Sequence, residues 1–186
     1  MTAPILETTR LRLRPWRDED LEPFAQLTAD PRVMQHFPGV LDREQSDQLA
    51  ARIRKGLSER DFGFWAVEVP GVANFIGFTG LSVPGFESHF TPCIEIGWRL
   101  AFDHWGNGYA SEAASTALSY GFDSLGLDEI VAFTVPANRR SIAVMERLGM
   151  TRSAADDFQH PAIPEGHPLR PHILYRLKRS DRLRPR

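Results

Sequence analysis

The run Trp105-Gly106-Asn107-Gly108-Tyr109-Ala110-Ser111-Glu112-Ala113 constrains this 186-residue chain more than any other segment. It follows a strand-like stretch, Ile94-Glu95-Ile96-Gly97-Trp98-Arg99-Leu100, and opens an alanine-rich helix. Strand, small-residue turn and helix is the layout of an anion cradle. Glycines let the backbone come close to a ligand, and the first helical N–H groups have no intrahelical acceptor. The helix dipole adds partial positive charge at the same end. Two other phosphate loops are missing: there is no G-x-x-x-x-G-K-[ST], and no G-x-G-x-x-G with an acidic residue after a second strand. A phosphate-bearing ligand is expected here. The plainer alternative is a tight turn in which the two glycines only relieve strain.

Hydrophobic spacing places the cradle in a larger pattern. Leu11 and Leu13, between alternating arginines, read as a strand with its apolar side inward. Asp18 reads as the N-cap of a helix carrying Leu21, Phe24, Ala25 and Leu27, and a second helix starts near Asp42 with Gln45, Leu49, Ile53 and Leu57 four apart. Residues 62–69 and 74–83 read as a hairpin turning at Pro70-Gly71, and residues 84–92 as a loop. The helix after the cradle spans about Asn107 to Leu125, followed by a strand at 129–135. Asn138 caps a short helix carrying Ile142, Met145 and Leu148, stopped by Gly149. Two strands, 150–158 and 172–177, flank a Pro- and His-rich loop at 160–171. The order β-α-α-β-β-β-α-β-α-β-β, without repeat or linker, predicts a mixed α/β fold in a single domain over 1–186, with its core at about 6–178.

The cradle resembles a known family. Gly108-Tyr109-Ala110 fits the second half of the Q/R-x-x-G-x-G/A motif of the GNAT superfamily of N-acetyltransferases. The flanks are similar to its RimJ/RimL-type branch. They comprise Leu6 to Arg14, Phe64-Trp65-Ala66-Val67, Ile76 to Leu81, Glu95 to Leu100, and Asn138-Arg139-Arg140-Ser141 running to Met150. One departure is Trp105, which stands where the motif has Gln or Arg, so that polar phosphate contact is not carried over. The resemblance implies a central, mostly antiparallel, splayed sheet flanked by helices. It also implies acetyl-coenzyme A as co-substrate, its pyrophosphate at Trp105, Gly106, Asn107, Gly108, Tyr109, Ala110 and Ser111. The pantetheine arm would lie along the strand edge after Gly97, at Trp98, Arg99 and Leu100. It further implies cofactor contacts from Asn138 and from Ser141, whose side chain would lie near the sulfur.

Acetyl transfer to an amine needs a base for the amine proton, a donor for the oxyanion and help for the departing thiolate. No covalent nucleophile is required. Glu95 is the leading base: a carboxylate between Ile94 and Ile96 is partly desolvated, which raises its pKa. Its alternatives are a structural pair with an arginine such as Arg99, or exposure to solvent. Ser141 is the candidate hydrogen-bond donor to the thiolate, with Tyr175 as a substitute acid. His160 is a second base candidate. Trp16, Phe37 and Phe86 are candidates for the acceptor pocket. His160, His167 and His172 near Asp156 and Asp157 match no familiar zinc spacing, so no metal is expected.

The expected function is an N-acetyltransferase acting on a primary amine, a protein N-terminus or a small molecule, by direct attack in a ternary complex. The alternatives are a non-catalytic acyl-coenzyme A sensor and a transferase of another acyl group such as succinyl. Twenty-two Lys and Arg against 24 Asp and Glu leave a net charge of -2, which argues against nucleic-acid binding. The single cysteine, Cys93, allows no intrachain disulfide. With no signal-peptide core and no membrane-length apolar run, a cytoplasmic protein without a membrane partner is expected, as monomer or homodimer. The basic residues 179–186 read as a solvated, frayed tail.

Overall fold

Period-two alternation assembles nine strands of the computed structural model, which describes residues 3–182, into a twisted sheet. β1 (Leu6–Glu7) and β2 (Arg12–Arg14) form a short hairpin where a single strand was expected. Then come α1 (Leu21–Ala29), a four-residue α2 (Pro31–Met34) and α3 (Arg43–Arg60). β3 (Phe64–Val69), β4 (Ala73–Ser82) and β5 (Glu95–Leu100) follow. α4 (Tyr109–Ser119) runs into a wide turn over Tyr120–Ser124 and leads to β6 (Glu129–Thr134) and α5 (Arg139–Arg147). β7 (Thr151–Arg152), β8 (Phe158–Gln159), β9 (Pro171–Lys178) and α6 (Arg179–Arg182) complete the described chain. The strand order is β1-β2-β3-β4-β5-β6-β9-β7, with β8 also on β9. All pairings are antiparallel except β5 with β6. This is the expected mixed α/β fold.

Alternation assigns the two faces. Phe64, Phe78 and Arg99 lie on the face covered by α1 and α3, where Phe24 packs edge-on to Phe78. Trp65 and Leu81 lie on the opposite face, under α4 and its terminal turn, where Trp65 meets Tyr120 edge-on. Ala113, Ala114 and Ala117 are fully buried; their small side chains let α4 sit close against the sheet. A second apolar cluster lies at the β6–β9 end, where the loop before β5 brings Phe86 and Phe90 onto Phe133 and Phe158.

Four local expectations are corrected. Asp42 does cap α3 through a reciprocal capping box with Gln45, but Asp18 caps nothing. It lies in a 3₁₀ turn, Asp18–Asp20, and its carboxylate pairs with Arg54 at 2.8 Å. The N–H at the start of this turn, that of Arg17, goes instead to Asp20. The expected strand 150–158 is broken by a 3₁₀ turn at Ala154–Asp156 into β7 and β8. Its centre, Ser153 to Asp157, has no large apolar side chain to bury, and its two aspartates are drawn to Arg176 and Arg152. The expected frayed tail is docked as far as Arg182. The Arg179 N–H donates to the Asp128 carbonyl, and Arg182 donates to Asp123 and Ser119. Its last residues, 183–186, lie outside the described range. No helix among the described residues is long and apolar enough to cross a membrane.

The fourth correction concerns the arginines of the opening strand. Leu11 and Leu13 are buried and Arg12 points outward as expected, but Arg14 is only 1% exposed. Its guanidinium forms a fork with both oxygens of buried Asp20 at 2.8 Å, donates through Nε to Glu68 at 2.7 Å, and reaches the Asn74 and Pro15 carbonyls. All five donors are satisfied, which is the condition under which a buried charge is tolerated. The cluster ties β2, the turn before α1, β3 and β4 together. Asp20→Asn is expected to cost about 3–5 kcal/mol in a urea titration, since it leaves a buried guanidinium short of charge. Arg43→Ala, which breaks only exposed pairs with Glu22 and Asp47, is expected to leave the midpoint unchanged.

Candidate functional site

β5 is held to β4 by six register pairs, from Ser82–Glu95 to Gly77–Leu100. β6 is held to β9 by six as well, from Glu129–Lys178 to Thr134–Ile173. Between β5 and β6 there is one pair, Glu95–Val131, closed by the Val131 N–H on the Ile94 carbonyl at 2.9 Å. Beyond it the strands part, and the β6-facing backbone of Gly97–Leu100 has no strand partner. Unpaired backbone groups of this kind need an acceptor or donor from elsewhere. One is met locally: the Trp105 indole N–H donates to the Leu100 carbonyl at 2.8 Å. The wedge opens into a cavity of about 1110 Å³. Its walls are β5, the end of β6, the cradle, the first turns of α5, the Gln35–Pro38 loop with α3, and His160 and His172.

The cradle forms as the sequence suggests. Gly106 and Gly108 both have φ of +79°, a left-handed conformation that costs any other residue. Gly108 precedes α4 directly, and its carbonyl takes the Glu112 N–H at 3.1 Å. The N–H groups of Tyr109, Ala110 and Ser111 are left facing forward without intrahelical acceptors. Asn107 does not reach outward: its amide folds back on the His104 and Trp105 carbonyls. Trp105 has its N–H occupied, while its ring carries the Arg140 guanidinium at 4.7 Å.

A brace that sequence reading missed holds the cradle from behind. Arg10 donates from its backbone and side chain to Glu112, and through Nη1 to the Asn107 carbonyl at 3.0 Å. Thr8 Oγ donates to Glu112 at 2.6 Å. Burial raises the Glu112 carboxyl, but the hydrogen bonds from Thr8 and Arg10 together outweigh it and hold it below the usual carboxylate value. Arg139, Arg140 and Arg147 add positive charge on the α5 side of the cavity.

Glu95 sits at the vertex of the wedge. Burial pushes its carboxyl up to about 8, opposed by a 3.3 Å hydrogen bond from Ser82 Oγ. It does not pair with Arg99. Asn138 caps α5 by accepting the Ser141 N–H at 3.2 Å, while its amide donates to Thr134 Oγ at 3.0 Å, which fixes α5 to the end of β6. Ser141 lines the cavity, and its hydroxyl makes no hydrogen bond among the described residues. Trp98, Leu100 and Ala110 line it too.

Other candidates fall elsewhere. Tyr175 does not line the cavity; it is buried on β9 with its hydroxyl on Glu146 at 3.4 Å. Trp16 is core, its N–H on the Phe64 carbonyl, and Phe86 belongs to the second cluster; Phe37 alone of the three lines the cavity. His160 accepts the Ala162 N–H at Nδ1, which leaves the proton on Nε2, so this imidazole presents a donor and not a base. His172 is the reverse: Nδ1 lies 3.1 Å from the Arg170 carbonyl and so carries the proton, leaving the Nε2 lone pair free. Burial lowers both imidazoles below their usual value. Burial also raises the Cys93 thiol to about 11, so it is no thiolate. Among the described residues no group of three or more His, Cys, Asp or Glu side chains is placed to hold a metal.

Residues 10–151 match the family described as the acetyltransferase (GNAT) domain. The chain is 34% identical over 146 residues to the uncharacterized protein YkkB of Bacillus subtilis, covering 78% of this chain and 84% of that one. It is 30% identical over 197 aligned positions to the FsC-acetyl coenzyme A-N(2)-transacetylase of Aspergillus fumigatus, covering 97% and 79%. A GNAT-family acetyltransferase from Bacillus anthracis superposes with a TM-score of 0.77 at 27% identity, over 94% of this chain and 98% of that one. With the parted strands, the glycine cradle and this match over most of its length, the chain belongs to the GNAT family and is an acetyltransferase.

Proposed function

We propose that this protein transfers the acetyl group of acetyl-coenzyme A to a primary amine by direct attack in a ternary complex. The observation that carries the reading is the single rung between β5 and β6, with Glu95 on it and the cradle at the far end of the same strand. The site suits this co-substrate. The N–H groups of Tyr109, Ala110 and Ser111 would take its pyrophosphate, Arg139, Arg140 and Arg147 its remaining negative charge, and the open edge of Trp98, Arg99 and Leu100 its amide-bearing arm. Bound there, acetyl-coenzyme A supplies an activated thioester carbonyl. The side chains of Trp105 and Asn107 shape the loop more than they touch the ligand, since the indole N–H and the amide are turned inward, while Gly106 offers only its backbone.

Glu95 would take the amine proton, directly or through a water. A carboxyl raised toward neutrality is a stronger base than an exposed one and still ionises at working pH. Ser141, with an uncommitted hydroxyl, would donate a hydrogen bond at the leaving sulfur, and Asn138 would hold the start of α5 in place. His172 is another group with a free lone pair in the cavity. The stretches Leu6–Arg14 and Asn138–Met150 favour the RimJ/RimL-type branch. The name of the Aspergillus relative, an acetyl-coenzyme A-dependent N-transacetylase, agrees with an amine acceptor.

Calorimetric titration with acetyl-coenzyme A, followed by thiol release against a panel of amines and N-terminal peptides, tests the reading. Binding with release is expected; tight binding with no release from any amine would point to a sensor. Gly108→Val is expected to weaken acetyl-coenzyme A by more than about tenfold and to cost about 1–2 kcal/mol of stability, because a β-branched residue resists positive φ. For Glu95, kcat/KM should rise with pH through about 8 as the carboxyl ionises, and this limb should vanish in Glu95→Gln, leaving only the acceptor's own ionisation. Stability should move the other way. A carboxyl raised from 4.5 to about 8 on folding contributes fully below the lower value and loses that contribution as pH rises through the upper one. Glu95→Gln should therefore melt higher than the parent on the alkaline side of that range, with the difference shrinking as pH falls.

A further inference from the structure

Arg99 is the one charged side chain of the cavity whose chemistry is left unused. Glu95, Gly97 and Arg99 alternate onto the same face of β5, the face of Phe64 and Phe78, away from α4. Among the described residues the Arg99 side chain forms no hydrogen bond or ion pair, and its Nε and Nη1 are buried without a partner. Burial lowers its guanidinium to about 10, so it remains a cation near neutrality. The guanidinium carbon lies over the Phe37 ring, 4.0 Å from its centroid, and 5.4 Å from that of Phe78. A ring contact supplies no carboxylate or carbonyl acceptor, so N–H groups able to bind an anion stay unused. Two buried guanidinium nitrogens without a partner are costly and call for an occupant of the site. The lining offers none: its one carboxylate among the described residues is Glu95, which is hydrogen-bonded to Ser82.

The other cations of the cavity, Arg139, Arg140 and Arg147, stand on α5 beside the cradle. Arg99 stands on the acceptor side, against α3 and the Gln35–Pro38 loop. We infer that Arg99 binds a carboxylate carried by the acceptor itself, and that the acceptor is a primary amine with a carboxylate several atoms away, an ω-amino acid or a short peptide. The spacing sets the length. Four residue steps lead from Glu95 to Arg99, about 13 Å along β5. An α-amino acid, with its two groups on one carbon, does not reach both. A polyamine brings positive charge to a pocket that already holds an unpaired cation.

This assignment rests on the proposed acetyl transfer. Its test is thiol release from acetyl-coenzyme A with matched acceptors: glycine, aminopentanoate, aminohexanoate and aminooctanoate with terminal amines, the alkylamines of the same lengths, and spermidine. A preference of roughly ten- to a hundredfold in kcat/KM for the longer carboxylates over their alkylamines is expected, with glycine poor. In Arg99→Met that ratio should fall to about one, while Arg99→Lys, which keeps charge but not the fork, should be intermediate. The melting temperature and acetyl-coenzyme A affinity of both variants show whether the fold is kept, and the ratio in the parent protein stands even if they fail. Equal turnover of each pair by the parent, a preference for glycine or spermidine, or an equal loss on both members of a pair in a folded Arg99→Met would overturn the role of Arg99 alone. Binding of acetyl-coenzyme A without release from any acceptor would instead overturn the transferase reading, and this assignment with it.

Discussion

Two parallel strands that share a single rung create every functional feature of this molecule. β5 is committed to β4 and β6 to β9, each by six register pairs, and only Glu95 and Val131 join the two halves. A sheet interior normally satisfies its own backbone; this one leaves a stretch of edge inside the fold. That edge is protected from other chains by its position and is open to a ligand able to hydrogen-bond along it. The vertex also fixes where a carboxylate can be both buried and reachable, and Glu95 occupies that place. With the α4 N-terminus below the wedge and α5 across it, the cavity is bounded by elements that the sheet itself orients.

Rigid polar ties support the opening. The Arg14 guanidinium, satisfied by Asp20, Glu68 and two carbonyls, locks the N-terminal hairpin to β3 and β4. Asn138 joins α5 to β6, and Trp105 joins the cradle to the end of β5. The last two ties each fix an element at one boundary of the cavity. A site built this way needs little rearrangement to meet its ligands, which is the condition for transition-state groups to be effective.

The parts legible in the sequence were those carried by local spacing. The glycine turn before an alanine-rich helix, the Asp42 and Asn138 caps, the β3–β4 hairpin and the desolvated position of Glu95 all follow from neighbours within a few residues. What spacing could not show were partners far apart in the chain. Arg14 reads as a solvent-facing residue until two carboxylates are brought to it, and Arg10 gives no local sign that it meets Glu112. The direction of Tyr175 depends on which face of β9 covers α5, and the tautomers of His160 and His172 on single carbonyl and amide contacts in an irregular loop. The failed strand at 150–158 has a related root: apolar ends suggested continuity, and a polar centre, with Asp157 held by nearby Arg152 and Asp156 by distant Arg176, broke it.

The brace behind the cradle bears on how the molecule comes together. Arg10 and Glu112 lie 102 residues apart, and so the loop that would hold a nucleotide is buttressed by a turn far from it in sequence. On a growing polypeptide that turn has nothing to grip until α4 has been made, and closing so long a loop carries an entropic cost that local structure does not. The cradle is thus a late feature of assembly. β3 and β4 can pair as soon as they exist, whereas the glycine turn acquires its final shape only when Thr8 and Arg10 have met Glu112.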